Sequence, residues 1–251
     1  KAIIPVHFSG STGEIEKIFS YAKRKNLRVI EDAAHSFGSF LNNNMVGYKG
    51  DIICFSFDGI KNITCGEGGA ILTGDKKVFS KLRDIRLLGV KGDSVRRYSK
   101  SRSWKFDVEE QGWRYHLSDL FAAIGREQLK KIDFFKSKRK KIVDFYIYKL
   151  QKIDGIKLLK INYDNNHQHI FPLRVLNDKR DKLKKFLEEK SIQTGIHYQP
   201  NHLLSRYKTR YRLKNSEIFG KEILSLPLHP ELTKKDINHV IHSIKFFLSN
   251  A

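Results

Sequence analysis

The sequence predicts an α/β fold joined to a smaller α+β part, on three observations. Over the first half, apolar β-branched strands alternate with amphipathic helices, the order of a sheet with crossover helices. After about residue 155 that alternation stops, and short strands and helices follow without it. The 251 residues are 40% hydrophobic, with 17 Phe and 10 Tyr, enough to build a core and too apolar for a disordered chain. The expected division is residues 1–150, a partial α/β layer on a mixed sheet, and residues 151–251, a small α+β domain.

The chain opens on "AIIPVHF", a β-branched strand. "TGEIEKIFSYAKRKN" carries Ile15, Ile18, Phe19 and Ala22 at helical spacing, with Thr12 as candidate N-cap and Asn26 as stop. "LRVIEDAA", "DIICFSF" and "GGAILTGD" are the next strands, and "KKVFSKLRDIRLLG" is a helix ending at Gly89. Residues Val90 to Gln111 are charged and weakly periodic, a long loop. A long helical stretch starts at the cap Ser118 and breaks near Ile132. In the C-terminal part, "IKLLKI" and "HIFPLRVL" are strands and "KRDKLKKFLEEKS" a helix. "TGIHYQP" is a strand leading to a loop, and a closing helix is capped by Thr233 with Asp236 at N3.

The net charge of +21 raises the question of nucleic acid. The charges argue against it, because they are spread over helix faces with acids interleaved; only "FFKSKRKKIVDF" is a dense basic run. No apolar run is long enough to span a bilayer, and no leader pattern is present, so a cytoplasmic protein away from membranes is expected. Two cysteines, Cys54 and Cys65, make no disulfide framework. No metal centre is expected. The chain begins at Lys1 with its sole methionine at Met45, from which residues preceding Lys1 are expected.

The candidate chemistry centres on Lys61. It follows the apolar strand "IICFSF" and precedes the glycine-rich "GEGGA". Desolvation favours the neutral, nucleophilic form of an amine. Asp32 ends a strand, at the edge of an open sheet where ligands bind; taken alone, it reads more readily as a helix N-cap. Glu31 should face the other way, since side chains alternate along a strand. Ser56 lies among aromatic neighbours and needs a partner for its hydroxyl. A nucleophilic lysine with a nearby carboxylate is what pyridoxal phosphate requires: the amine holds the cofactor, and the carboxylate keeps the pyridine nitrogen protonated.

"VIEDAAHSFGS" followed by "GDIICFSFDGIKNITCGEGGAILTGD" resembles the DegT/DnrJ/EryC1/StrS family of nucleotide-sugar aminotransferases, fold-type I enzymes dependent on pyridoxal phosphate. The resemblance continues through "GWRYHLSDLFAAIGREQLKKID", "TGIHYQPNHLLSRY" and "LSLPLHPELTKKDI" and so covers essentially the whole chain. It implies that Lys61 is the Schiff-base lysine, Asp32 the partner of the pyridine nitrogen, and Ser56 a phosphate contact. His35 stands where many members carry Gln, near the pyridine 3-oxygen. Arg114 stands where they carry an Asn that reaches the cofactor phosphate of the other subunit, and Arg too binds phosphate. His197 and His202 fall in the family's substrate-side loop; each is equally readable as a structural histidine. The resemblance further implies a nucleotide-linked ketosugar as substrate, glutamate as amino donor, a homodimer, and a role in polysaccharide or related sugar biosynthesis. Some relatives that dehydrate sugars carry a histidine at the place of Lys61, so the lysine favours amino transfer.

The family's chain normally starts earlier, with a helix N-terminus that grips the cofactor phosphate. A truncated or split-gene product, inactive alone and serving at most as an interaction protein, is the competing expectation. On either account residues 1–251 by themselves should bind pyridoxal phosphate poorly or not at all, although Lys61 is present.

Overall fold

The computed structural model describes residues 1–92 and 106–250. Trp104, in the expected loop, lies outside the described residues. The chain divides into two compact units, residues 1–8 with 12–131 and residues 9–11 with 132–251. The division thus falls at residue 131 and not at the expected 150. The cause is the helix Ile132–Leu150, whose Ile142, Val143, Tyr146 and Leu150 bury into the core of the second unit.

In the first unit, β1 (Ala2–Ile3), β2 (Arg28–Asp32), β5 (Ile52–Ser56) and β6 (Gly69–Thr73) form one mixed sheet in the order β1-β2-β5-β6. The first two pairings are parallel and the last is antiparallel. The opening strand is shorter than expected, since Pro5 has no N–H to continue the ladder. Pairing resumes at Val6, opposite Asp32. Between β2 and β5 lies a hairpin the sequence reading did not identify, β3 (Phe40–Leu41) with β4 (Asn44–Met45). Its turn is Asn42-Asn43, both at positive φ, which asparagine tolerates better than most residues.

Helix α1 (Ile15–Arg24) starts at Glu14 and not at Thr12: Gly13 turns the chain at φ +56, so the threonine lies outside the cap position. Asn26 stops it as expected, at φ 51, and Leu27 N–H donates to the Ala22 carbonyl at 2.9 Å. Helix α2 (Lys76–Ile85) is capped by Asp75, whose carboxylate accepts from Lys77 and Val78 N–H. Helices α3 (Asp119–Lys130, capped by Ser118) and α4 (Ile132–Leu150) break where expected.

The second unit carries the larger core. β7 (Ile156–Leu158), β8 (Phe171–Val175) and β9 (Ile223–Leu226) form an antiparallel sheet. The apolar faces of α4, α5 (Arg180–Glu189) and α7 (Lys234–Asn250) bury against it, with Phe171, Leu183, Leu187 and Ile244 fully covered. Each such side chain contributes roughly 1.5–3 kcal/mol. Residues 194–200 make only one bridge, Gly195 to Ser225, in place of the expected strand. Helix α6 (Lys214–Glu222) and β9 were not foreseen from the sequence.

Candidate active site

The site is set by sheet register. Asp32 on β2 is paired with Cys54 on the parallel strand β5, so the two side chains share a face. Ser56, two residues beyond Cys54, stands on that same face and at the same C-terminal edge. Chemistry agrees with register: burial pushes the Cys54 thiol pKa up, and the Asp32 charge pushes it further. Glu31 points to the opposite face, as expected, and is buried there with Val29.

No helix follows Asp32, so it is not an N-cap. Its Oδ1 accepts from Ala34 N–H at 3.1 Å, an Asx turn that orients the carboxylate and leaves Oδ2 available. The main chain around it is held on both sides. Asp32 N–H donates to the Pro5 carbonyl and His7 N–H to the Asp32 carbonyl, both at 2.9 Å, while Ala33 N–H reaches Cys54 from the other strand. His35 follows, buried, its ring 6.0 Å from that of Phe8.

The turn after β5 presents Lys61. Ser56 Oγ accepts from Asp58 N–H at 3.3 Å, which leaves its hydroxyl proton free to donate to an anion. Asp58 Oδ1 accepts from Ile60 N–H and its carbonyl from Lys61 N–H, closing the turn. Behind it, Phe57 bonds Gly68 and Cys65 through the main chain, and Asn62 and Ile63 are buried. Lys61 is thus anchored through its backbone and half-buried, and its amine forms no ion pair among the described residues. The donor set fits pyridoxal phosphate: an uncommitted amine, an oriented carboxylate and a hydroxyl with a free proton, from adjoining elements at one sheet edge.

Arg114 is exposed, on a strip where Trp113 N–H donates to the Ile85 carbonyl, Tyr115 N–H to the Arg86 carbonyl, and the Trp113 carbonyl accepts from Leu88 N–H. No hydrogen bond or ion pair links it to Asp32, Ser56 or Lys61. His197 and His202 belong to the second unit. His197 Nδ1 lies 2.8 Å from Ser225 Oγ, and His202 Nε2 lies 3.4 Å from Glu217 Oε1. Glu217 also accepts from Leu213 N–H and faces Arg212; its pKa is lowered although its partial burial opposes that. Both histidines therefore have structural partners. Two features escaped the sequence reading, the place of Cys54 on the site's face and a buried His7–Glu31 pair. Strand alternation alone could have found the first.

The sequence model of the DegT/DnrJ/EryC1/StrS aminotransferase family matches residues 1–245. The chain is 32% identical to the spore coat polysaccharide biosynthesis protein SpsC of Bacillus subtilis over 262 residues, covering 100% of this chain and 67% of SpsC. It is 34% identical over 259 residues to the uncharacterised protein MJ1066 of Methanocaldococcus jannaschii, covering 99% of this chain and 67% of that one. Among solved structures it resembles Helicobacter pylori PseC, an aminotransferase involved in the biosynthesis of pseudoaminic acid. The TM-score is 0.90 at 26% identity, over 100% of this chain and 67% of PseC. The chain thus spans about two thirds of the length of these relatives.

Proposed function

The chain belongs to the DegT/DnrJ/EryC1/StrS aminotransferase family, and from that premise we propose that it transfers an amino group to a nucleotide-linked ketosugar, with pyridoxal phosphate carried on Lys61. Aminotransferases of this family depend on that cofactor. The observation that supports the reading best is the shared face of Asp32 and Ser56 at one strand edge, with Lys61 in the turn that follows.

Pyridoxal phosphate, when bound, supplies an electron sink. The rest falls to the chain. Lys61 would hold the cofactor through its amine and, once that amine is free, would serve as the group that moves protons at the reacting carbons. The Asp32 carboxylate, fixed by Ala34 N–H, holds a proton on the pyridine nitrogen through charge and hydrogen bonding. The Ser56 hydroxyl donates to the phosphate. His35 sits buried next to the Asp32 turn and serves the ring oxygen. Arg114 adds a phosphate contact from the partner subunit of a homodimer. Glutamate is the amino donor, and the product feeds polysaccharide or related sugar biosynthesis.

The test is absorbance titration of the chain with pyridoxal phosphate, followed by borohydride trapping and peptide mapping. Label on the Lys61 peptide is expected, and Lys61→Ala abolishes both the visible band and the label. Trapping spread over surface lysines, or a band unchanged in Lys61→Ala, overturns the assignment. Amino transfer from glutamate to a panel of ketosugar nucleotides then identifies the substrate.

A further inference from the structure

His7 and Glu31 form a pair that the site as described does not use. His7 Nε2 lies 2.8 Å from Glu31 Oε2, with the two side chains 1% and 4% exposed. Taking a carboxylate out of water costs several kcal/mol unless partners restore what it loses. A fold that buries one where an apolar side chain would pack keeps it for a reason other than stability alone. Glu31 is the residue before Asp32, and His7 sits in the segment that pairs with Asp32. The main chain of that segment already brackets Asp32 through Pro5 and His7. The side-chain pair adds a second tie one residue away, on the opposite face of the strand. Gly50 closes over the same carboxylate: a Cβ there would sit 2.3 Å from Glu31 Oε1. Two consecutive residues of β2 are therefore clasped by one neighbouring segment, one through backbone and one through side chain. A strand end held in this way has neither a free rotation nor a free register.

We propose that the buried His7–Glu31 pair is a positioning device for Asp32, fixing the strand end so that the Asp32 carboxylate meets the pyridine nitrogen of the cofactor. The pair touches no reacting atom; it acts through Asp32. The inference rests on the reading of Asp32 and Lys61 given above. It predicts that loosening the clasp damages the cofactor's electronic environment beyond any loss of stability.

The experiment is a double-mutant cycle on the full chain, read by pyridoxal phosphate affinity and by the pH midpoint of the bound cofactor's absorbance, with thermal midpoints in parallel. Glu31→Gln is expected to weaken cofactor binding roughly tenfold and to move the pH midpoint in the direction that Asp32→Asn moves it. In Glu31→Gln/Asp32→Asn the Glu31 change should add less than about twofold, since there is no longer a carboxylate to position. His7→Gln keeps an N–H donor for Glu31 and should stay within about threefold of the parent, whereas His7→Leu should resemble Glu31→Gln; this comparison holds even where Glu31→Gln folds poorly. Additive losses in the cycle, or an unmoved pH midpoint, overturn the positioning role and leave the site intact. An Asp32→Asn change without effect on either readout removes the site reading and this inference together.

Discussion

Tyr146 shows what a single buried side chain contributes. It is fully covered, its ring stacks on Phe171 at 5.0 Å between centroids, and its hydroxyl donates to the Pro227 carbonyl at 3.1 Å. Burial raises the phenol pKa, so the hydroxyl stays a donor throughout the working range. Tyr146→Phe keeps the packing and orphans the carbonyl, at a cost of about 1–2 kcal/mol in denaturant unfolding. Two residues on, Tyr148 is 66% exposed. "DFYIYKL" offers no means of telling one tyrosine from the other, because the answer depends on strands β8 and β9, far off in sequence. The positions of Asp32 at a strand end, Ser56 at the end of the next strand and Lys61 in the turn beyond it follow from local pattern; the roles proposed for them rest on the family resemblance. The His7–Glu31 pair joins residues 24 apart and left no local signal.

Between elements, the clearest joint is at the N-terminal ends of β2, β5 and α2. Arg28, at the start of β2, donates to both oxygens of Asp51, before β5, and reaches Asp75, the cap of α2. The Arg28 hydrogen bonds hold the Asp51 pKa below its ordinary 3.8, with Val29 N–H helping; burial works against them. For a carboxylate whose pKa falls on folding, the stabilisation is complete above the unfolded value and is lost as pH drops through the folded one. The parent should therefore lose stability below about pH 4. Asp51→Asn should be less stable at neutral pH and flatter on acidification, by thermal melts across that range; parallel pH profiles would sink the assignment. At this scale the sequence reading succeeded where signals were short. The caps Ser118 and Thr233 and the stop Asn26 are local features. It missed α6, whose Gly220 is needed because a Cβ would lie 2.5 Å from Pro200 Cδ, a tertiary constraint without a sequence period. It missed the Asn42-Asn43 hairpin because strands of two residues carry no alternation.

For the whole molecule, the first unit leaves large apolar side chains in solvent. Phe106, Trp113, Tyr115 and Leu120 are exposed, and Trp113 stacks on Tyr115 in parallel at 6.0 Å. Aromatics beside an arginine are the composition of an interface core. The proposed homodimer would cover them and bring Arg114 to a partner's cofactor. Sedimentation should show a dimer, and Trp113→Glu should shift it to monomer with weaker cofactor binding. A dimer indifferent to this change, or a monomer at all concentrations, would rule that surface out. Among the described residues no helix is long and apolar enough to cross a membrane. The basic surface expected from composition is present as scattered lysines, a few of them in local ion pairs such as Lys130 with Glu127.

Cys54 turns the proposed site into its own gauge. Its thiol shares a face with Asp32 and Ser56, and burial with the Asp32 charge keeps it protonated near neutral pH, hence slow to alkylate. Cys65 is buried and its thiol is likewise raised by burial. In mildly alkaline solution Cys54 should therefore be the first thiol to take up an alkylating reagent, and a molecule seated over that face should shield it. Mass-spectrometric labelling of unmodified protein then counts occupied sites directly, with no reporter added and no chromophore required.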